Sequence, residues 1–234
     1  MLKVRKLSTM EPFFIVMKAN TKDHILERDI RKEFEFHKGL LKMQDYKEGE
    51  DYVYFFLQHE KMLCPLRDAL DLLKEGGVRK WKKMFLHIYQ ILMAFLRRGV
   101  VLDSITIDDF HYDILREHAV LVNINEPHKS NLLQEPDCYQ SGQFTFLNHE
   151  LENIMKRQLG KIYFSIATGE NLPFRRNDEY SVDFVRITNV LLQNLLLKLL
   201  SPLRVPYHSY SHRDTTIHEP LLLESIFTHA FFLN

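Results

Sequence analysis

The chain predicts an α+β protein in which a small strand-rich part, residues 1–60, gives way to a larger helical part, residues 61–234. Three observations carry this expectation. Short apolar runs rich in aromatic and β-branched residues lie at 13–17 and 51–57, the pattern of buried strands. Beyond residue 60 the apolar residues recur at helical spacing over longer stretches, most clearly at 79–96 and 181–200. A chain of 234 residues with 45% hydrophobic content is also long and apolar enough to bury a substantial core, which excludes disorder as its main state.

Taken in order, residues 13–17 follow Pro12 and are closed by Lys18. Over 29–43, Ile30, Phe34, His37 and Leu41 sit near helical spacing with charges between them, which predicts an amphipathic helix. The turn Glu48-Gly49-Glu50 before the apolar run 51–57 predicts antiparallel pairing with another strand. Residues 64–74 read as one helix stopped at Gly76-Gly77, followed by a long helix over 79–96. Residues 126–145 carry Pro127, Pro136 and Gly142 without apolar periodicity and predict a surface loop. Helical patterning resumes at 150–168 and 181–200, residues 201–218 read as loop around Pro202 and Pro206, and 221–232 read as a closing helix. No internal repeat is visible.

Charge narrows the function classes. Lysine plus arginine equals aspartate plus glutamate at 31 each, so no overall field draws the chain to nucleic acid or an anionic membrane, and a partner must be recognised locally. Cys64 and Cys138 form no CxxC and no dense framework, which fits a reducing compartment. The first residues lack the apolar core of a signal peptide, and the most apolar segment, 190–200, is interrupted by Gln193, Asn194 and Lys198. A soluble intracellular protein is expected.

Five segments resemble landmarks of the protein-kinase superfamily. Ile15-Val16-Met17-Lys18 stands where kinases have V-A-I-K, and Glu33 stands where the small-lobe helix supplies its glutamate. Gly99-Val100-Val101-Leu102-Asp103-Ser104 occupies the place of G-I-V-H-R-D. Residues 160–169 followed by Pro173-Phe174 are similar to the large lobe's central helix and its G-x-x-P-F turn, and 227–232 to the closing helix. Leu57-Gln58-His59-Glu60 and Asp109-Phe110-His111-Tyr112 resemble the L-E-H-E and N-F-L-Y of the cell-division-control-protein-7 serine/threonine kinases.

That resemblance implies a two-lobed kinase-like fold, with a truncated β-rich small lobe over 1–60 and a helical large lobe over 61–234. It implies ATP and Mg2+ as cofactors, phosphorylation of serine or threonine in replication-control proteins, an activating subunit and a nuclear location. Kinase chemistry is positioning plus charge neutralisation, so each part can be checked against the residues present. The first glycine is Gly39, so no glycine-rich cover is expected before Lys18. Lys18 and Glu33 are the expected ATP-binding pair, while Val16 and His111 would crowd and polarise the adenine pocket. Ser104 falls on the catalytic aspartate when Ile105 and Phe110 keep their buried slots; a shift of one residue would make Asp103 the proton acceptor instead. Asp109 and Asn123 stand at the two metal-binding positions, the second as a neutral amide in Asn123-Ile124-Asn125 where D-F-G belongs.

Leu102 and Ile124 keep apolar groups in the family's internal column, Glu150 aligns with the structural glutamate that pairs with Arg204 or Arg213, and Met155 replaces a bracing aspartate. The expectation is a catalytically impaired kinase-like protein that acts by binding a regulatory subunit or an active paralogue. Two alternatives stay open: a weakly active kinase using Lys18 with Asp103 or Asp109, and a scaffold that binds no nucleotide. Elsewhere, His208, His212 and His218 lie in loop-like sequence and do not predict a metal site. The basic run Arg79-Lys80-Trp81-Lys82-Lys83 predicts the solvated start of a helix with Trp81 tucked inward, or a docking patch for an acidic partner.

Overall fold

A computed structural model describes residues 2–5, 12–20, 23–58, 62–102, 104–129, 143–172, 187–200 and 223–233. It is a mixed α+β protein, and its chain divides into two compact units, Met1–Gln134 and Glu135–Asn234.

The first unit is built on an antiparallel sheet in the order β1-β2-β4-β3, from β1 (Leu2–Arg5), β2 (Pro12–Ala19), β3 (Met43–Glu48) and β4 (Tyr52–Gln58). The expected hairpin is present, with β3 and β4 paired across the turn at Gly49, whose amide donates to the Tyr52 carbonyl at 2.8 Å. Along β4, Val53, Phe55 and Leu57 are fully buried while their neighbours are not, because successive side chains in a strand point to opposite faces. On β2, Phe14 and Val16 join that buried face, and two residues on Lys18 shares it. Alternation thus carries a lysine toward the interior.

The helix α1 spans Asp23–Glu33, starting six residues before the expected 29–43 helix and ending ten before it. Ile30 and Phe34 are buried as expected, and Phe34 stacks on Phe95 at 4.5 Å between centroids. His37 and Leu41, which continued the periodicity, belong instead to a returning turn: Leu121 donates to the Gly39 carbonyl at 2.8 Å, and Leu41 donates to the Leu121 carbonyl at 3.0 Å. A Cβ on Gly39 would collide with the Ile91 side chain, so this close approach requires glycine.

A second correction concerns 64–74. Leu63–Pro65 forms a strand, β5, paired with β7 (Phe110–Asp113), and helix α2 begins only at Leu70 and ends at Glu75. Pro65 disfavours the helical conformation at Cys64, which explains why the strand wins there. Gly77, at φ +66°, separates α2 from α3 (Gly77–Leu96). On α3, Met84, Phe85, Ile88, Ile91, Leu92 and Phe95 form the buried stripe that its spacing predicts.

After α3 come β6 (Val100–Leu102), a short 3-10 turn at Ile107–Asp109, β7, β8 (His118–Leu121) and β9 (Pro127–Lys129). The β6–β9 pairing places a strand inside the expected 126–145 loop. These small sheets bring Ser104, Asp108, His111 and residues 122–126 close to Lys18.

In the second unit, α4 runs from Gln143 to Thr168 and α5 from Val190 to Leu200. Gly160 lets them pack closely, since a Cβ there would sit 2.7 Å from Leu200 Cδ2. Met155 is fully buried on α4. The expected closing helix over 221–232 is broken into a 3-10 segment, Leu223–Thr228, and α6, Ala230–Leu233. His229 lies at the break, bonded to Asn194 at 2.9 Å. Among the described residues no helix is long and apolar enough to cross a membrane.

Candidate functional site

Within the first unit, Lys18 is the centre of a polar cluster at the floor of a cleft. Its ammonium contacts Glu27 Oε2 at 2.6 Å, donates to the Ile124 carbonyl, and lies 3.5 Å from Asn125 Oδ1. Glu27 is 2% exposed and also takes Arg31, one helical turn on, through bonds of 2.9 and 2.7 Å. Arg31 in turn donates to the Val122 carbonyl at 2.7 Å. Glu27 is therefore shared by two cations, and both cations hold the backbone of residues 122–124. Burial lowers the Lys18 pKa, with Glu27 acting in the opposite direction.

Glu33, expected to pair with Lys18, instead meets Arg98 at 2.9 Å on an exposed surface. The helix boundary explains the correction. Six residues along an α-helix turn the side chain by about 240° and move it about 9 Å, so Glu27 and Glu33 cannot face the same strand. The sequence does contain a signal for Glu27, because Glu27, Ile30, Arg31 and Phe34 form one helical face with an i,i+4 ion pair.

Beside Lys18, Asp109 is buried by a turn whose Thr106 cap donates to it from both backbone and hydroxyl, at 2.8 and 3.1 Å. Its other oxygen accepts from Asn123 at 3.0 Å and Asn125 at 2.7 Å. Burial raises the Asp109 pKa, opposed by Thr106, Asn123 and Lys18. Both carboxylate oxygens are thus occupied. Asn123 Oδ1 is left buried without a hydrogen-bond partner. Neighbouring Asp108 points out to a two-bond pairing with Arg67, at 2.6 and 2.9 Å.

Ser104 is exposed, and its hydroxyl donates to Glu126. Glu126 reaches it from a left-handed backbone position, φ +43°, which no sequence pattern announced. Asp103 and the Glu150 side chain lie outside the described residues, as do Arg204 and Arg213, the expected partners of Glu150. Leu102 and Ile124 are both buried, as expected. Two cavities of about 460 Å³ flank Lys18: Val16 and His111 line one, His24, Ser104 and Glu126 the other. His111 packs against Phe14 at 5.8 Å, and burial pushes its pKa down to about 4.

Sequence reasoning brought Lys18, Asp109 and Asn123 to one place, and missed Glu27, Arg31, Thr106, Glu126 and the donor role of Asn125. Chemically, the cluster offers two cations, Lys18 and Arg31, and two carboxylates, Glu27 and Asp109, that already bind each other, nearby amides or the backbone. Among the described residues no group of three or more His, Cys, Asp or Glu is arranged to hold a metal. No protein-family model matches the chain, and no curated protein matches it.

Proposed function

We propose that this chain is a protein-kinase-like protein, similar to the cell-division-control-protein-7 serine/threonine kinases, whose catalytic cleft is impaired and which acts by binding a protein partner. In that role it would bind a regulatory subunit or an active paralogue in nuclear replication control. The observation that carries the reading is the pair of half-buried Lys18 with buried Glu27 beside Asp109 and Asn123. A strand lysine aimed by a helix glutamate, next to a loop residue that meets the start of an extended segment, is the layout of a kinase cleft. Asp109 faces Asn123 while Asp108 is exposed, which favours the register with Ser104 at the catalytic aspartate's position.

Impairment follows from the same groups. A kinase needs a carboxylate base, and a serine hydroxyl does not accept the substrate proton at neutral pH. Mg2+ requires oxygen ligands in near-octahedral geometry, usually with one or two carboxylates. Here one carboxylate, Asp109, has both oxygens taken by four donors, and Asn123 adds a single neutral oxygen. The donor set does not fit the ion, and no phosphoryl-transfer step is derived through it. ATP would have to displace Lys18 from the Ile124 carbonyl and share a pocket with buried His111.

The second reading, a scaffold that binds no nucleotide, is favoured by that internal saturation of Lys18. Incorporation of labelled phosphate into generic serine/threonine substrates tests catalysis. Background incorporation is expected, and incorporation that disappears in Lys18→Met would overturn the impaired-kinase reading.

A further inference from the structure

A third cavity, about 620 Å³, opens between the Gly39 turn, α3 and the β7–β8 hairpin, and it shares no lining residue with the Lys18 cleft. Its apolar wall is Ile91 and Ala119, and at its rim stands Phe36, 89% exposed. Phe36 and the Ile91–Ala119 wall set apolar surface on two sides of one opening, within which an inserted apolar side chain would leave water.

The charge around it has one sign left over. Lys38 and Arg116 line the cavity, and no carboxylate does. The carboxylates close by are already neutralised within the fold: Glu35 by Lys42 at 2.6 Å, Glu117 by Lys83 at 3.1 Å, and Asp113 by Arg116 at 3.6 Å. Lys38 has no acidic partner among the described residues. Through Glu117, the surface continues to Lys80 and exposed Arg79 at the start of α3, so the basic run adjoins the cavity. Inside, His87 and His118 meet edge to face at 5.9 Å, and His87 Nδ1 is buried without a hydrogen-bond partner. Burial, with His118 and Lys83 near, holds His87 at about 4, so at neutral pH it adds an acceptor or a donor rather than a charge.

We infer that this cavity is a docking site for an acidic segment of a partner protein, which inserts an apolar side chain against Ile91 and Phe36 and sets carboxylates on Lys38, Arg116 and the start of α3. Charge complementarity selects that occupant: a basic segment would meet Lys38 and the excess of positive charge that Glu117 leaves at the start of α3, and a purely acidic one would leave the apolar wall wet. The site is independent of whether the Lys18 cleft takes nucleotide.

The test is fluorescence anisotropy with a short labelled peptide of glutamates flanking a leucine pair. Comparison peptides replace the leucines by serine or the glutamates by lysine. Wild-type protein is expected to bind the first peptide more weakly as salt rises, and to bind either comparison peptide at least about tenfold less tightly. Phe36→Ser, Lys38→Glu and Gln90→Glu change exposed side chains at the cavity, so they should fold normally by circular dichroism yet each weaken binding about fivefold or more. No binding of the first peptide at millimolar protein, equal binding of the lysine peptide, or binding unchanged in all three variants would overturn the assignment. None of these outcomes depends on nucleotide, so failure here leaves the reading of the cleft untouched.

Discussion

At the Lys18 cleft, Glu27, Arg31 and Asp109 are buried and spend their hydrogen bonds on one another and on residues 106 and 122–125. At the α3 cavity, Phe36 stands in water and Lys38 has no acidic partner among the described residues. Both places have the volume for a ligand, but at the cleft Lys18 and Asp109 are already engaged by the fold, whereas at the α3 cavity Lys38 is not. The difference teaches that a cleft can hold a dense set of charged groups that serve the fold rather than a ligand.

The largest expected effect breaks the comparison if it fails. Glu27→Ala should cost about 3 to 5 kcal/mol, because it leaves Lys18 and Arg31 without their shared carboxylate. Glu33→Ala, which loses only an exposed pair with Arg98, should cost about 0 to 1 kcal/mol. Urea melts that rank the two equally would contradict a structural role for the cleft's ion pairs. Next, Leu102→Ala and Ile124→Ala should each cost about 2 to 5 kcal/mol as core truncations. Ser104→Ala, at an exposed hydroxyl, should cost under about 1 kcal/mol. Similar losses in all three would mean that the residues beside Lys18 are not ordered by packing.

The smaller effect is one of pH, and it has a contribution from each place. His111 at the cleft and His87 at the α3 cavity both fall to about 4 in the folded chain, chiefly through burial, from an ordinary value of 6.5. The unfolded chain therefore binds more protons between these values, and stability present above pH 6.5 is lost as pH falls toward 4. For buried His111 the loss is of order 1 to 3 kcal/mol, and for half-buried His87 it is smaller because water screens the charge. Asp109, raised by burial, acts in the opposite sense at the acid end. Denaturant midpoints at pH 7.5 and 5 should differ less in His111→Phe than in wild type, and an unchanged difference would remove His111 as a cause.

How much of this was legible in the sequence depends on whether a local pattern carried it. The β4 alternation, the α3 stripe and the β3–β4 turn each follow from residues close in the chain, and the structure has them. The α1 boundary was misread because Leu41 continued a helical period that a turn also satisfies when Gly39 docks on Ile91. That single shift exchanged Glu27 for Glu33 as the partner of Lys18. Asp109 and Asn123 were placed by motif spacing, but the bond from Asn125 to Asp109 and the approach of Glu126 to Ser104 depend on the path of the backbone after residue 122. The α3 cavity had only one trace, the basic run at 79–83, because its walls come from three separated segments.

The central claim is that the Lys18 cleft has been turned inward, and thermal unfolding with and without ATP and Mg2+ tests it most directly. A ligand at 100 times its dissociation constant stabilises by about 2.7 kcal/mol, well within reach of the measurement. The account predicts no Mg2+-dependent rise in melting temperature at millimolar ATP; a rise that requires Mg2+ and vanishes in Lys18→Met would contradict it.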